Sequence, residues 1–229
     1  MPRFAVVLPA AGQSSRFGGG DKKPFLDLAG RAVWLRAAEA FAGRADVCQL
    51  LVVVAPADLP SFQQRFASEI AALKVDVVEG GNARFESVAN ALQRLHHQAD
   101  FVAVHDAARP CVTPALIDAV FARASATGAA LLAVPVADTI KRGDAELRVT
   151  GTVDRNGLWL AQTPQVFRRD WLADAYARRG ELGAAITDDA QLVEAAGHSV
   201  YLVRGSPTNF KITTPDDLAH AAAILRAPA

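Results

Sequence analysis

Twenty-four basic and 24 acidic residues cancel in a chain of 229 that is half hydrophobic. Such a chain can build a core, and it lacks the basic excess that nucleic acid or an anionic membrane surface would attract. No apolar run nears the roughly 18 residues of a membrane span, Pro9 breaks the short N-terminal one, and Cys48 and Cys111 stand apart without metal-type pairing. The expectation is one cytoplasmic domain over 1–229 with two reduced thiols.

In chain order, the first strand is "FAVVL" from residue 4, followed by the small-residue and glycine-rich loop "PAAGQSSRFGGGDKKPF". Helical spacing then aligns Trp34, Ala38 and Phe41, and "LLVVVA" (50) and "VDVV" (75) are the next strands. After "GGNAR", in which Asn82 is read as a helix cap, Phe85, Val88, Leu92 and Leu95 share a face. "FVAV" (101) leads into "HDAARP", and Thr113-Pro114 sets an N-cap with proline at the first helical position, ahead of Leu116, Val120 and Ala124. "ALLAVPV" (130) is a further strand. Residues 137–159 break the rhythm with two short β stretches around a Gly143-Asp144 turn, and a lone two-stranded ribbon needs a surface to lie on. "VYLV" (200) and a helix with Leu218, Ala222 and Leu225 on one face close the chain.

Nearly continuous apolar strands alternating with helices predict an α/β fold with a mainly parallel sheet between helical layers. Ligands of such sheets sit beyond the carboxyl ends of the strands, so the loops after Pro9, Glu79, His105 and Val136 carry the chemistry. The first loop fits neither the dinucleotide G-x-G-x-x-G nor the P-loop: Gln13, Ser14 and Ser15 follow Gly12, and Gly18 is followed by Gly19 rather than lysine. What remains is a small-residue turn (Ala10, Ala11, Gly12) whose backbone N–H groups can approach an anion, then Arg16, a glycine run and Lys22-Lys23. Arg16 can bridge two phosphate oxygens and Lys23 acts as a point charge, a combination suited to a triphosphate undergoing substitution.

Six stretches, "PAAGQSSRFGGGDKKPF", "VHDAARPCVT", "TVDRNGLW", "TPQVF", "ITDDA" and "NFKITTPDDL", occur in an order that resembles the 2-C-methyl-D-erythritol 4-phosphate cytidylyltransferases of the non-mevalonate isoprenoid pathway. The likeness covers nearly the whole chain, and "HDAARP" with "TVDRNGLW" is its specific part. It implies a Rossmann-like nucleotidyltransferase sheet with a protruding β-arm at about 137–157, and transfer of CMP from CTP to the alcohol phosphate with release of pyrophosphate. The attacking phosphate is already ionised, so no general base is required. Catalysis then falls to alignment and charge neutralisation at the α-phosphorus.

By the same resemblance, Arg16, Lys23 and Lys211 act on the triphosphate. Ala10, Ala11 and Gly12 line the nucleotide, and Gly81, Asn82 and Ser87 lie beside the cytosine. Asp106 lies near a Mg²⁺–triphosphate and the substrate hydroxyls, with Arg109 near the substrate phosphate. Thr139 and Arg155 reach across a homodimer to complete the partner's acceptor pocket, to which Thr163 also belongs. Read from the residues themselves, Arg84 orients its loop, His105 is structural, and Thr187-Asp188 is first a helix cap with acidic residues at the positive end of the dipole, with support of the pocket as a secondary role. Pro24 and Phe85 depart from the family pattern without removing a charge the mechanism needs. Two rivals are a cytidylyltransferase for another polyol phosphate, such as ribitol 5-phosphate, and a nucleotide- or NAD-binding module without transfer. The absent glycine fingerprint and the cations Arg16, Lys23 and Lys211 speak against the second; an absent Asp-x-Asp pair speaks against a glycosyltransferase.

Overall fold

The computed structural model describes residues 1–12, 22–181 and 186–226. Its strands are β1 (Phe4–Pro9), β2 (Asp27–Leu28), β3 (Arg31–Ala32), β4 (Val47–Val54), β5 (Val75–Glu79), β6 (Phe101–Val104), β7 (Ala129–Pro135), β8 (Ile140–Gly143), β9 (Val149–Val153), β10 (Trp159–Arg168) and β11 (Tyr201–Arg204). Its α-helices are α1 (Val33–Glu39), α2 (Leu59–Arg65), α3 (Ala67–Leu73), α4 (Arg84–Leu92), α5 (Pro114–Thr127), α6 (Arg169–Ala177), α7 (Asp189–Ala195) and α8 (Pro215–Arg226). No helix among the described residues is long and apolar enough to cross a membrane.

Seven strands make the main sheet in the order β11-β7-β10-β6-β1-β4-β5. All run parallel except β10, which is antiparallel to both β6 and β7. The alternation of β1 shows why its run is apolar throughout. Phe4, Val6 and Leu8 pack with Trp34, Phe41, Ile117 and Phe121 on one face, while Ala5 and Val7 pack with Val88, Leu172 and Leu192 on the other. Each face is covered by helices, so neither side of the strand can be polar. A third, smaller cluster (Leu28, Val33, Cys111, Ile212 and Ala221) ties α8 to the rest of the chain.

Local chemistry sets the ends of the elements. Thr113 accepts a hydrogen bond from the Leu116 N–H with Pro114 at the first helical position, as the sequence predicts. Asp188 caps α7, accepting from the Gln191 N–H. Asn82 is not a cap. Ala83 holds that position, and the Glu86 carboxylate reaches back to the N–H groups of Asn82 and Ala83. In α8 the buried residue is Ala221, and Leu225 is exposed.

Strand β10 is missing from the sequence reading. Its ladder with β7 is interrupted between Ala161 and Gln165, where Gln162, Thr163 and Pro164 sit. A proline and two polar residues there hide the strand from any apolar pattern, and the break frees backbone groups for other partners. The ribbon β8–β9 forms where expected, with Asp144 accepting from the N–H groups of Glu146 and Arg148 in its turn.

Candidate active site

The carboxyl ends of β1, β4, β5 and β6 lie side by side, so the loops beginning at Ala10, Gly80 and His105 gather at one end of the sheet. Two of these loops touch. A Cβ built on Gly80 would stand 2.8 Å from the Ala11 Cβ and 2.9 Å from Ser87 Oγ, so only glycine fits between them. Ala10 donates its N–H to the Val53 carbonyl, fixing where the small-residue turn begins. The Ser87 hydroxyl accepts from the Gly81 N–H and donates to the Ala83 carbonyl. Gly81, Asn82 and Ser87 therefore form a loop shaped by its own backbone, with Glu86 as its clamp.

Asp106 follows β6 and is buried, and cations from distant parts of the chain converge on it. Arg109 Nε and Lys211 Nζ each lie 3.2 Å from Oδ2, and Arg84 Nε lies 3.9 Å from Oδ1. Burial alone would favour the neutral acid, but Lys211, Arg84 and Arg109 outweigh it and hold the Asp106 carboxyl well below the usual carboxylate range. Arg109 also donates through Nη1 to the Asn209 carbonyl. The Asn209 amide in turn donates to the Thr163 carbonyl, and Ile212 N–H donates to the Ala108 carbonyl. These bonds carry Lys211, from near the far end of the chain, to the end of β6.

His105 is structural, in a specific way. Its Nε2–H donates to the Arg109 carbonyl, and its Nδ1 accepts from the Thr163 hydroxyl, which itself accepts from the Asp106 N–H. Full burial pushes the imidazole down to about 4, so it is neutral at pH 7 and its two nitrogens fit those two partners. Thr163 thus locks the backbone of the Asp106 loop from β10.

Arg84, the first residue of α4, donates to Asp189 Oδ2 at 2.7 Å, while the Tyr176 hydroxyl donates to Asp189 Oδ1. Burial works against the Arg84 charge, but Asp189 keeps its pKa above the ordinary arginine value. Sequence reasoning does not single out Asp189 or Tyr176 as functional residues. The available signal is the second aspartate of "ITDDA", a carboxylate in the first turn of a helix that carries apolar residues.

The other predicted residues are distributed as follows. Lys23 opens a 3₁₀ turn, Lys23–Phe25, in which Pro24 and Phe25 are buried and Phe25 packs on Phe62 and Phe66. Its neighbour Lys22 pairs with Asp58. Arg16 and the glycine run lie outside the described residues. Thr139 and Arg155 are exposed on the arm, where Arg155 donates to the Ala137 carbonyl; no described contact joins either of them to Asp106.

Among the described residues no group of three His, Cys, Asp or Glu side chains could hold a metal alone. Asp106 Oδ1, whose cationic neighbour Arg84 Nε stands off at 3.9 Å, does fit a cation that draws its remaining ligands from phosphate and water.

The model of the family IspD, 2-C-methyl-D-erythritol 4-phosphate cytidylyltransferase, matches residues 4–227. A protein of that name from Dechloromonas aromatica is 46% identical over 99% of both chains. One from Rhodopirellula baltica is 43% identical over 96% of this chain and 94% of the relative. The crystal structure of the Thermus thermophilus protein of the same name is 35% identical, with a TM-score of 0.79, covering 96% of this chain and 98% of its own.

Proposed function

The chain belongs to the 2-C-methyl-D-erythritol 4-phosphate cytidylyltransferase family, and from that premise we propose how its own residues carry out the transfer. The enzyme moves CMP from CTP to 2-C-methyl-D-erythritol 4-phosphate and releases pyrophosphate. A phosphate oxygen of the acceptor forms the new bond to the α-phosphorus of CTP as the bond to the β-phosphate bridging oxygen breaks. The acceptor phosphate is ionised at neutral pH, so the protein need not remove a proton. Its work is to bring two anions together and neutralise the charge that spreads over the transferring group.

The observation that carries this reading is the convergence of Arg109 and Lys211 on one buried carboxylate oxygen. Three cations (Arg84, Arg109, Lys211) face two carboxylates (Asp106, Asp189), which leaves a positive surplus in the pocket before any ligand enters. Lys211 is 43% exposed at its side chain, so it can leave Asp106 for a phosphate, whereas Arg109 is anchored at Asn209 and stays. Arg16 and Lys23, which follow β1 in the sequence, add charge on the pyrophosphate side. The backbone of Ala10, Ala11 and Gly12 lies along the nucleotide, and Gly81, Asn82 and Ser87 read the cytosine edge through a loop preset by Glu86. Asp106 is the side chain that would hold Mg²⁺ together with the triphosphate. The metal supplies charge neutralisation for the leaving pyrophosphate. Arg109 and Thr163 border the acceptor pocket, and Thr139 and Arg155 enter it from the arm of a second copy in a homodimer. The enzyme works in the cytoplasm.

Pyrophosphate release from CTP and Mg²⁺ tests the assignment, with methylerythritol 4-phosphate in one reaction and ribitol 5-phosphate in another. Release with the first and not the second is expected. Release with ribitol 5-phosphate alone would overturn the acceptor assignment.

A further inference from the structure

We propose that Asp189 and Tyr176 are positioning residues for the transfer, holding the Arg84 guanidinium away from Asp106 Oδ1. The inference rests on the proposed role of Asp106, and it concerns residues two helices removed from the reacting atoms. Arg84 stands between two carboxylates. It bonds Asp189 Oδ2 tightly, at 2.7 Å, and faces Asp106 Oδ1 loosely, at 3.9 Å. Both Asp189 oxygens are used, since Oδ1 accepts from the Tyr176 hydroxyl at 2.5 Å, and the residue is 1% exposed. Tyr176 lies on α6, Asp189 on α7 and Arg84 on α4, so these contacts join the start of α4 to α6 and α7.

A buried ion pair is weak evidence for stability, because apolar replacements of equal volume often do as well. Its distinct contribution here is direction. Asp106 Oδ2 is already occupied by Arg109 and Lys211, so Oδ1 is the oxygen open to a ligand. With Asp189 neutralised, Arg84 loses its stronger partner, and the nearest anion is Asp106 Oδ1. The guanidinium would then move onto that oxygen and close it. The pair therefore sets how available Asp106 is, without touching substrate itself. The base loop feels the same constraint, because Arg84 begins the helix that follows Gly81 and Asn82.

The test compares wild type, Asp189→Asn, Tyr176→Phe, Arg84→Gln and the double variant Arg84→Gln/Asp189→Asn in steady-state pyrophosphate release. Rates are normalised to the folded fraction measured by calorimetry. Asp189→Asn is expected to lower kcat about tenfold while KM for CTP changes less than about threefold, the pattern of an interaction used in the transition state. Tyr176→Phe should move kcat the same way by about threefold. The double variant should be no slower than Asp189→Asn, because the misplaced guanidinium has gone. Unchanged kcat per folded protomer in Asp189→Asn, with only a lower melting temperature, would overturn the proposal. So would single effects that multiply in the double variant. If Asp189→Asn does not fold, Tyr176→Phe decides by the same split, and unchanged kcat there overturns the proposal. A wild type that releases no pyrophosphate from CTP and the acceptor would overturn the proposed function, and this inference with it.

Discussion

Around Asp106 the polar groups are buried and bonded to one another; on the arm at 137–157 and the strand that follows it, apolar groups are exposed. His105, Thr163, Asn209 and Asp106 are all under 9% exposed, yet each has partners within the same chain. Leu147, Val149 and Leu160 are 91%, 65% and 59% exposed. The ribbon β8–β9 pairs with itself and lies outside the main sheet. Apart from Asn209 Oδ1, which has no hydrogen-bond partner in the chain, these buried side chains bond to groups of the same chain and hold the pocket in shape. Apolar side chains left in water on the arm and at the start of β10 are the surface that the proposed homodimer would cover. The difference separates what one chain can do by itself from what a second copy would add.

The largest effect should come from the pocket. Lys211→Ala leaves Arg109 on Asp106 but removes the cation free to follow the phosphate, and turnover should drop about 10²-fold, in line with losing one transition-state donor. Lys211→Arg should recover part of it. Turnover near that of wild type in folded Lys211→Ala would remove the pocket from the mechanism and collapse the comparison.

A smaller effect should come from the arm, and it should differ in kind. Replacing both Leu147 and Val149 with lysine leaves the Asp106 cluster intact, since neither residue contacts it. Sedimentation should show a shift from dimer to monomer. The acceptor kcat/KM should fall about tenfold, with KM for CTP held, because Thr139 and Arg155 would no longer reach a second pocket. A variant that stays dimeric, or a monomer with full acceptor efficiency, would mean that the exposed leucine and valine serve something other than assembly.

The same contrast marks what the sequence can disclose. Strands buried on both faces, such as β1 and β4, are legible because burial forces continuous apolar runs, and the cap at Thr113 is legible because it is local chemistry. β10 is not, since its antiparallel course and its interrupted stretch at Gln162–Pro164 replace apolar residues with ones that bond sideways. The pocket is legible only in part. Asp106, Arg109 and Lys211 stand in recognisable stretches, and the structure brings both cations within 3.2 Å of the carboxylate. The Arg84–Asp189 pair spans 105 positions and exists only because α4 and α7 lie against the same face of the sheet. Nothing local marks either residue as the other's partner. Asn82 reads as a cap because its side chain can cap, but in the fold Ala83 holds that position and Glu86 reaches back to the N–H groups of Asn82 and Ala83.

The smallest effect on turnover, and a clean one on stability, belongs to His105. Its folded pKa of about 4 lies below the ordinary 6.5, so below pH 6.5 the unfolded chain takes up the proton first. The contribution of neutral His105 is therefore complete above pH 6.5 and is lost as pH falls toward 4, by up to about 1.4 kcal/mol per unit. Asp106 follows the same sign at lower pH. Its folded pKa is depressed, so its stabilisation is present above about 3.8 and is lost only below that. The two windows are separate, and a descent between 6.5 and 4 can be assigned to the histidine by difference. His105→Gln, which does not titrate, should be less stable than wild type at pH 7, with the gap narrowing steadily in urea denaturation as pH falls from about 6.5 to about 4.5. Parallel curves would mean that His105 takes up its proton as readily in the folded protein as in the unfolded chain, and that burial does not hold it neutral. The hydrogen bond that the Thr163 hydroxyl donates to Nδ1 would then be lost below pH 6.5, and with it part of the internal closure that sets the pocket apart from the arm.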